Sequence, residues 1–146
     1  MDNTSFTENQ QLKPITMDIT QARIDAYAAA SGDFNPIHID QVFASKSHFG
    51  RTIAHGMLIA AMVSNLMSQN FSGLWSESGK LKVRFRAPVF ADEVVTARGY
   101  IKKVEPYNSG QVKITCVIEV AKNTVDSDDS EAELAITGQA SLVGNL

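Results

Sequence analysis

The stretch "GMLIAAMVSNLM", residues 56–67, is apolar on nearly every side of a helix: only Ser64 and Asn65 interrupt the run from Met57, and no charged residue occurs between Gly56 and Asn70. A run this short does not span a bilayer, which takes about 20 residues. A helix that is hydrophobic all round belongs in an interior, so other elements have to cover it. The covering material follows in the sequence. From Lys80 onward the texture changes to alternation with a period of two, the signature of strands with one buried face. In "KLKVRFRAPVFADEVV", Leu81, Val83 and Phe85 alternate with Lys82, Arg84 and Arg86. "ADEVVTARGYIKKV" alternates more loosely, and "QVKITCVIEVAK" puts Val112, Ile114, Cys116, Ile118 and Val120 on one face. "AELAITGQASLV" closes the series, with turn signals at "EPYNSG" and "NTVDSDDSE". Helices first and strands afterwards, around one apolar helix, predict an α+β fold whose antiparallel sheet wraps that helix.

Upstream of it, "LKPITMDIT" predicts a short strand, and Thr20 is placed to cap a helix over "QARIDAYAAAS" that Gly32 ends. A further short helix is expected over Asp40–Ser47, and residues 1–10 are expected to be flexible. The 146 residues suit a single domain. Thirteen Lys plus Arg against 16 Asp plus Glu leave a net charge of -3, which predicts neither a nucleic-acid nor a membrane partner. The lone Cys116 rules out an internal disulfide and, on its apolar strand face, reads as a core residue. The polar start "MDNTSFTENQQ" lacks the pattern of a secretory signal, so the expected location is the cytoplasm. The acidic stretch Asp126–Glu131 is expected to be a solvated hairpin loop.

Three groups of residues bear on chemistry. In "SGDFNPIHID", residues 31–40, Pro36 sets its own φ and pushes Asn35 towards extended geometry, which predicts a stiff loop rather than helix. A carboxylate, Asp33, and an imidazole, His38, on such a loop can converge on one water, and imidazole exchanges protons near neutrality. On spacing alone, a turn in which Asp33 caps backbone amides is the more economical reading. Gly56 heads the apolar helix, where free N–H groups and the positive end of the dipole suit an oxyanion, although a glycine there also simply eases the entry of the chain. Ser64, seven residues past Met57, shares its face of the helix. The cationic row Lys80, Lys82, Arg84, Arg86 reads either as a solvated sheet face or as a contact for the phosphates of a nucleotide-like carrier or for an acidic carrier protein. Asp33, His38, Asp40, His48 and His55 show no tight metal-ligand spacing, so no metal site is expected.

Together, "AAASGDFNPIHID", "FGRTIAHGMLIAAMVSNLM" and "LKVRFRAPVFADEVV" resemble the MaoC-like (R)-specific enoyl-CoA hydratases of the hot-dog fold, in order and spacing, over about residues 12–143. The hydratase motif of Asp, Asn-Pro and His is complete as Asp33, Asn35-Pro36 and His38. The family's Arg-Pro-Ile-Val-His-Gly appears as Arg51-Thr52-Ile53-Ala54-His55-Gly56, with Thr52 in place of proline and Ala54 in place of valine.

The resemblance implies a helical overhang that carries the catalytic loop across the mouth of an acyl tunnel, and a homodimer. It implies that Asp33 and His38 activate water for addition to C3 of a trans-2-enoyl thioester, giving an (R)-3-hydroxyacyl thioester. His38 is then the principal base, and Asp33 positions the water and helps return a proton to C2. The Gly56 amide holds the thioester oxygen, Asn35 orients the loop, and Ser64 lies near the pair. The substrate is a coenzyme A or acyl-carrier-protein thioester, with no separate cofactor. Phe34, Met57 and Leu58 are candidate tunnel lining. Acyl-CoA thioesterases and non-catalytic acyl-thioester-binding proteins share the fold. Many thioesterases of this kind rely on an acidic residue on or near the central helix, which this chain lacks, and a binding protein has less need of both Asp33 and His38.

Overall fold

The computed structural model describes residues 5–123 and 131–145. The order of elements is β1 (Ile15–Ile19), α1 (Gln21–Ser31), α2 (Pro36–Ile39), α3 (Gln41–Ser45), α4 (Gly56–Phe71), α5 (Gly73–Ser78), β2 (Lys80–Phe85), β3 (Glu93–Pro106), β4 (Gln111–Lys122) and β5 (Leu134–Asn145). The strands form one antiparallel sheet in the order β1-β3-β4-β5-β2. Helix α4 packs against β2, β3, β4 and β5 and buries Ile59, Ala60, Met62, Val63, Leu66, Met67 and Phe71. The sheet answers with Val95, Ala97, Ile101, Ile114, Cys116, Ile118, Val120, Ile136, Ala140 and Leu142, all essentially inaccessible. This is the hot-dog arrangement, a sheet wrapped about a central helix.

Local signals set the boundaries. Thr20 caps α1 by accepting from the Arg23 amide at 3.2 Å, and Gly32 ends it at φ 76°, its own amide donating to the Ala28 carbonyl. The segment 80–95 does not run as one strand. Strand β2 stops at Phe85, after which the Arg86 amide still donates to Ala135 and the chain turns through Pro88, which has no N–H to offer a ladder. Being an edge strand that pairs, among the described residues, with β5 alone, β2 leaves Leu81 and Phe85 exposed, and Val83 of its apolar face packs on the core. Helix α5 carries no periodic signal and is anchored by two neighbouring apolar residues, the buried Trp75 and the partly buried Leu74.

Residues 5–10 differ from the flexible start expected. The Asn9 amide donates to the Ile101 carbonyl at 2.7 Å, the Ile101 amide to Gln10 at 2.9 Å, and the Phe6 ring lies 5.0 Å from that of Phe71. The acidic stretch expected to form a hairpin loop lies outside the described residues except for Glu131. Among the described residues, no helix is long and apolar enough to cross a membrane.

Candidate active site

The segment that leaves α1 is folded by its own short side chains. Ser31 Oγ accepts from the Asp33 amide, Asp33 Oδ1 from the Asn35 amide, and Asn35 Oδ1 from the Ile37 amide, each at 3.2 Å. Such i to i+2 bonds replace helix pairing with a chain of tight turns. The stiff loop expected around Pro36 is in fact the helical turn α2, with Asn35 as its cap and Pro36 in its first turn. Proline is pre-organised for that position, since its φ is already helical and its missing N–H would have no partner there. Asn35 therefore acts on the backbone of α2.

His38 is fixed at one end of its ring. Its Nδ1 lies 2.8 Å from the Ile53 carbonyl, which only accepts, so in the neutral ring Nδ1 carries the proton and Nε2 keeps a free lone pair. That lone pair faces Asp33, whose Oδ2 lies 3.9 Å from Nε2. The gap is too wide for a direct hydrogen bond and has the width that a single bridging water spans. Asp33 is half exposed while the His38 side chain retains 12% of its surface, so the pair opens to solvent on the carboxylate side.

His55 completes the constellation. Its ring stacks on His38 with centroids 3.8 Å apart and an interplanar angle of 26°, and Tyr27 covers it at 4.8 Å. Its Nε2 donates to the Asp33 carbonyl at 2.9 Å. His55 is also the N-cap residue of α4, but its side chain makes no cap bond, and its buried Nδ1 has no hydrogen-bond partner among the described residues. The first amides of α4, beginning with Gly56, are thus left to the positive end of a 16-residue helix.

Gly56 opens onto a cavity of about 310 Å³ lined by Phe49, Ile53, Ile59, Phe85, Val89 and Ile136 among others, with Arg86 as its cationic member. A Cβ on Gly56 would sit 3.0 Å from the Phe85 ring, so glycine keeps the amide approachable. The expected tunnel residues fall elsewhere: Phe34 and Met57 are exposed at 58% and 62%, and Leu58 packs on the core.

Among the described residues, Ser64 makes no hydrogen bond to Asp33 or His38. It sits eight residues beyond Gly56, about 12 Å along the axis at 1.5 Å per residue, and its hydroxyl accepts from Trp75 Nε1 at 3.0 Å. The cationic row divides as well. Lys80 and Lys82 border a separate concavity with Lys113, while Arg86 reaches the cavity beside Gly56 and donates to Thr137 Oγ1 at 3.0 Å. Cys116 is inaccessible, and burial pushes its thiol up to about 12, which agrees with a packing role.

Asp33, His38 and His55 each offer a ligand atom, all within 4.8 Å of one another. The two imidazoles are stacked, so their lone pairs run side by side rather than converging, and His55 Nε2 is committed to a carbonyl. The arrangement suits proton transfer better than a tetrahedral metal. Asp40 caps α3, and the His48 ring packs against that of Phe49, tilted by 37° with centroids 3.9 Å apart.

A sheet wrapped about a central helix, with an imidazole–carboxylate pair at the head of that helix beside an apolar cavity, defines the hot-dog class of hydratases and dehydratases. Within that class the chain belongs to the MaoC-like domain family, whose sequence profile matches residues 2–124. It is 35% identical to the (R)-specific enoyl-CoA hydratase of Aeromonas caviae over 122 residues, 82% of this chain and 81% of that protein. It is 37% identical over 101 residues, 66% of this chain and 67% of the other, to 3-hydroxyacyl-thioester dehydratase Z of Mycobacterium tuberculosis. The solved (R)-hydratase of A. caviae involved in PHA biosynthesis superposes with a TM-score of 0.79 at 28% identity, over 98% of this chain and 99% of that one. The unliganded R-hydratase PhaJ1 of Pseudomonas aeruginosa shares the fold, with a TM-score of 0.75 at 22% identity over 97% and 88% of the two chains.

Proposed function

We propose that this protein is an (R)-specific enoyl-CoA hydratase, adding water reversibly across the C2–C3 double bond of a trans-2-enoyl-CoA. The observation that carries the reading is the free Nε2 lone pair of His38 facing the Asp33 carboxylate at 3.9 Å, next to the uncapped start of α4. In the forward direction His38 Nε2 takes a proton from the bridging water as the water oxygen bonds to C3. The π electrons move through C2 onto the thioester oxygen, where the Gly56 amide and the helix dipole meet the negative charge. A proton then passes to C2 through the Asp33–His38 pair, so water is added in full and the site is restored.

The same groups run the reaction backwards, which supports a second reading: dehydration of a 3-hydroxyacyl group on a carrier protein. The M. tuberculosis relative is named for that direction. Arg86 at the cavity suits the phosphates of either carrier. The chemistry as drawn needs neither metal nor separate cofactor. A homodimer belongs to the same proposal, supported by the exposed Phe34, Val42, Phe43, Met57 and Phe85, which a second copy would cover. A cytoplasmic location is supported by the single, buried cysteine. A thioesterase is disfavoured by the absence of any carboxylate along α4.

The test is to mix the protein with crotonyl-CoA and with longer and branched enoyl thioesters. The expected result is loss of the conjugated enoyl absorbance and an (R)-3-hydroxyacyl product. Release of free thiol instead would identify a thioesterase, and tight binding without turnover a binding protein.

A further inference from the structure

We propose that Thr52, which stands where the family motif has proline, is a positioning residue that holds His38 through the side chain of Gln21. The inference rests on the hydratase reading and extends it to a device of this chain. Thr52 is fully buried, and its hydroxyl lies 2.7 Å from Gln21 Oε1. The Gln21 amide nitrogen faces two acceptors, the carbonyl of His38 at 2.8 Å and Asp25 Oδ1 at 2.9 Å. Those acceptors fix which end of the Gln21 amide is nitrogen. Its oxygen then faces Thr52, and the Thr52 hydroxyl has to be the donor. Gln41 Nε2 approaches both oxygens at 3.3 and 3.4 Å, a longer contact that closes the ring.

The relay matters because α2 has only four residues, too few to hold itself. Its last carbonyls have no partner within the helix, and Gln21 supplies one for His38 itself. The neighbouring residue completes the hold: the Ile53 carbonyl takes His38 Nδ1–H at 2.8 Å, and the Ile53 amide donates to Ile37 at 3.2 Å. His38 is thus gripped at its backbone by way of Thr52 and at its ring by Ile53. Proline at 52 would stiffen the segment but has no hydroxyl, so the backbone grip depends on threonine. Among the described residues the Thr52 amide donates to no protein acceptor, so its hydroxyl is what distinguishes it here.

The experiment compares Thr52→Val, Thr52→Ser, Gln21→Leu and the Thr52→Val/Gln21→Leu double variant on crotonyl-CoA at a temperature where all remain folded by circular dichroism. A loosened ring misplaces the base without touching the thioester, so Thr52→Val and Gln21→Leu are each expected to lower kcat about tenfold and leave KM within about twofold. Thr52→Ser keeps the donor and is expected to stay within about twofold of wild-type kcat. In the double variant the losses are expected not to add, because both substitutions break one relay. Wild-type kcat in Thr52→Val, a Thr52→Ser variant as slow as the valine one, or additive losses would each overturn the proposal. Should Thr52→Val not fold, Gln21→Leu carries the same expectation from the half-exposed first turn of α1.

A wild-type protein without turnover would refute the hydratase reading instead. The relay is then judged by the imidazole NMR signals of His38. Its Nδ1–H resonance should persist in Thr52→Ser and exchange away in Thr52→Val. Persistence in both would overturn the relay.

Discussion

Helices α4 and α2 meet at the site, where His55 at the head of one stacks on His38 in the other, and they are held by different forces. Helix α4 is 16 residues long and fixed by packing: Leu66 and Met67 are inaccessible, and no charge lies along its length. Helix α2 has four residues and no buried one. It is fixed by hydrogen bonds from Asn35, Gln21 and Ile53. Packing is tolerant of polar detail but costly to hollow out, whereas a hydrogen-bonded turn is cheap to unmake but exacting in direction. The division places stability in one helix and chemical precision in the other, so substitutions in the two should act on different measurements.

The largest effect is expected from the catalytic pair. Asp33→Asn keeps an oxygen for the Asn35 amide and so preserves the turn, yet should lower kcat on crotonyl-CoA at least about a hundredfold, as should His38→Ala. The unfolding free energy of Asp33→Asn in urea should change by less than about 0.5 kcal/mol, as for an exposed position. Similar turnover in both variants and wild type would break the division at its chemical end.

In α4, Leu66→Ala should cost about 3 kcal/mol of stability by urea unfolding. Turnover per folded molecule should remain within about twofold of wild type at low temperature. A collapse of turnover at full folding would show that α4 also tunes the chemistry.

A smaller effect is expected at the junction. Asn35→Ala removes the cap of α2, worth about 1 kcal/mol locally, and should lower kcat about tenfold. Asn35→Asp, which can also cap, should recover most of the loss. Equal losses in both variants would mean that Asn35 touches substrate rather than backbone.

The smallest effect is expected at Cys116. With its thiol held up to about 12 by burial, it stays neutral at about pH 8 and should resist iodoacetamide in the folded protein. It should react only after unfolding, and treated native protein should keep full activity. Rapid labelling of folded protein would remove Cys116 from the core.

Much of this division was legible in the sequence because packing announces itself by periodicity. The apolar run at 56–67 and the alternation at 112–120 gave the central helix and its wall, and Thr20, Gly32 and Asp40 marked helix ends by types that suit those positions. Asp33 and His38 were visible as a spacing, and Gly56 as a helix start. Less legible was whatever depends on contacts between distant segments. Pro36 reads as a breaker and as a first-turn residue alike, and the Asn35 cap decides between them. Ser64 shares a face with Met57, yet its hydroxyl goes to Trp75, eleven residues later on a helix with no periodic signal. Thr52 is marked only by standing in a proline position, and Gln21 carries no mark at all, since a hydrogen bond between residues 31 apart leaves no local pattern.

The sheet order has a kinetic consequence. Strands β3, β4 and β5 follow one another in sequence and in space, so each pairs with the next strand along the chain. The edges do not: Arg86 meets Thr137 across 51 residues, and Thr16 meets Thr96 across 80. Loop closure favours the central meander as the early structure and leaves both edges to dock afterwards. The site is fastened by such late joins, the Arg86 amide to Ala135 and the Ala54 amide to Val89, each at 2.8 Å. In native-state hydrogen exchange these two amides should open well before those of Ile118 and Val120, making the catalytic corner the last part of the molecule to form and the first to let go.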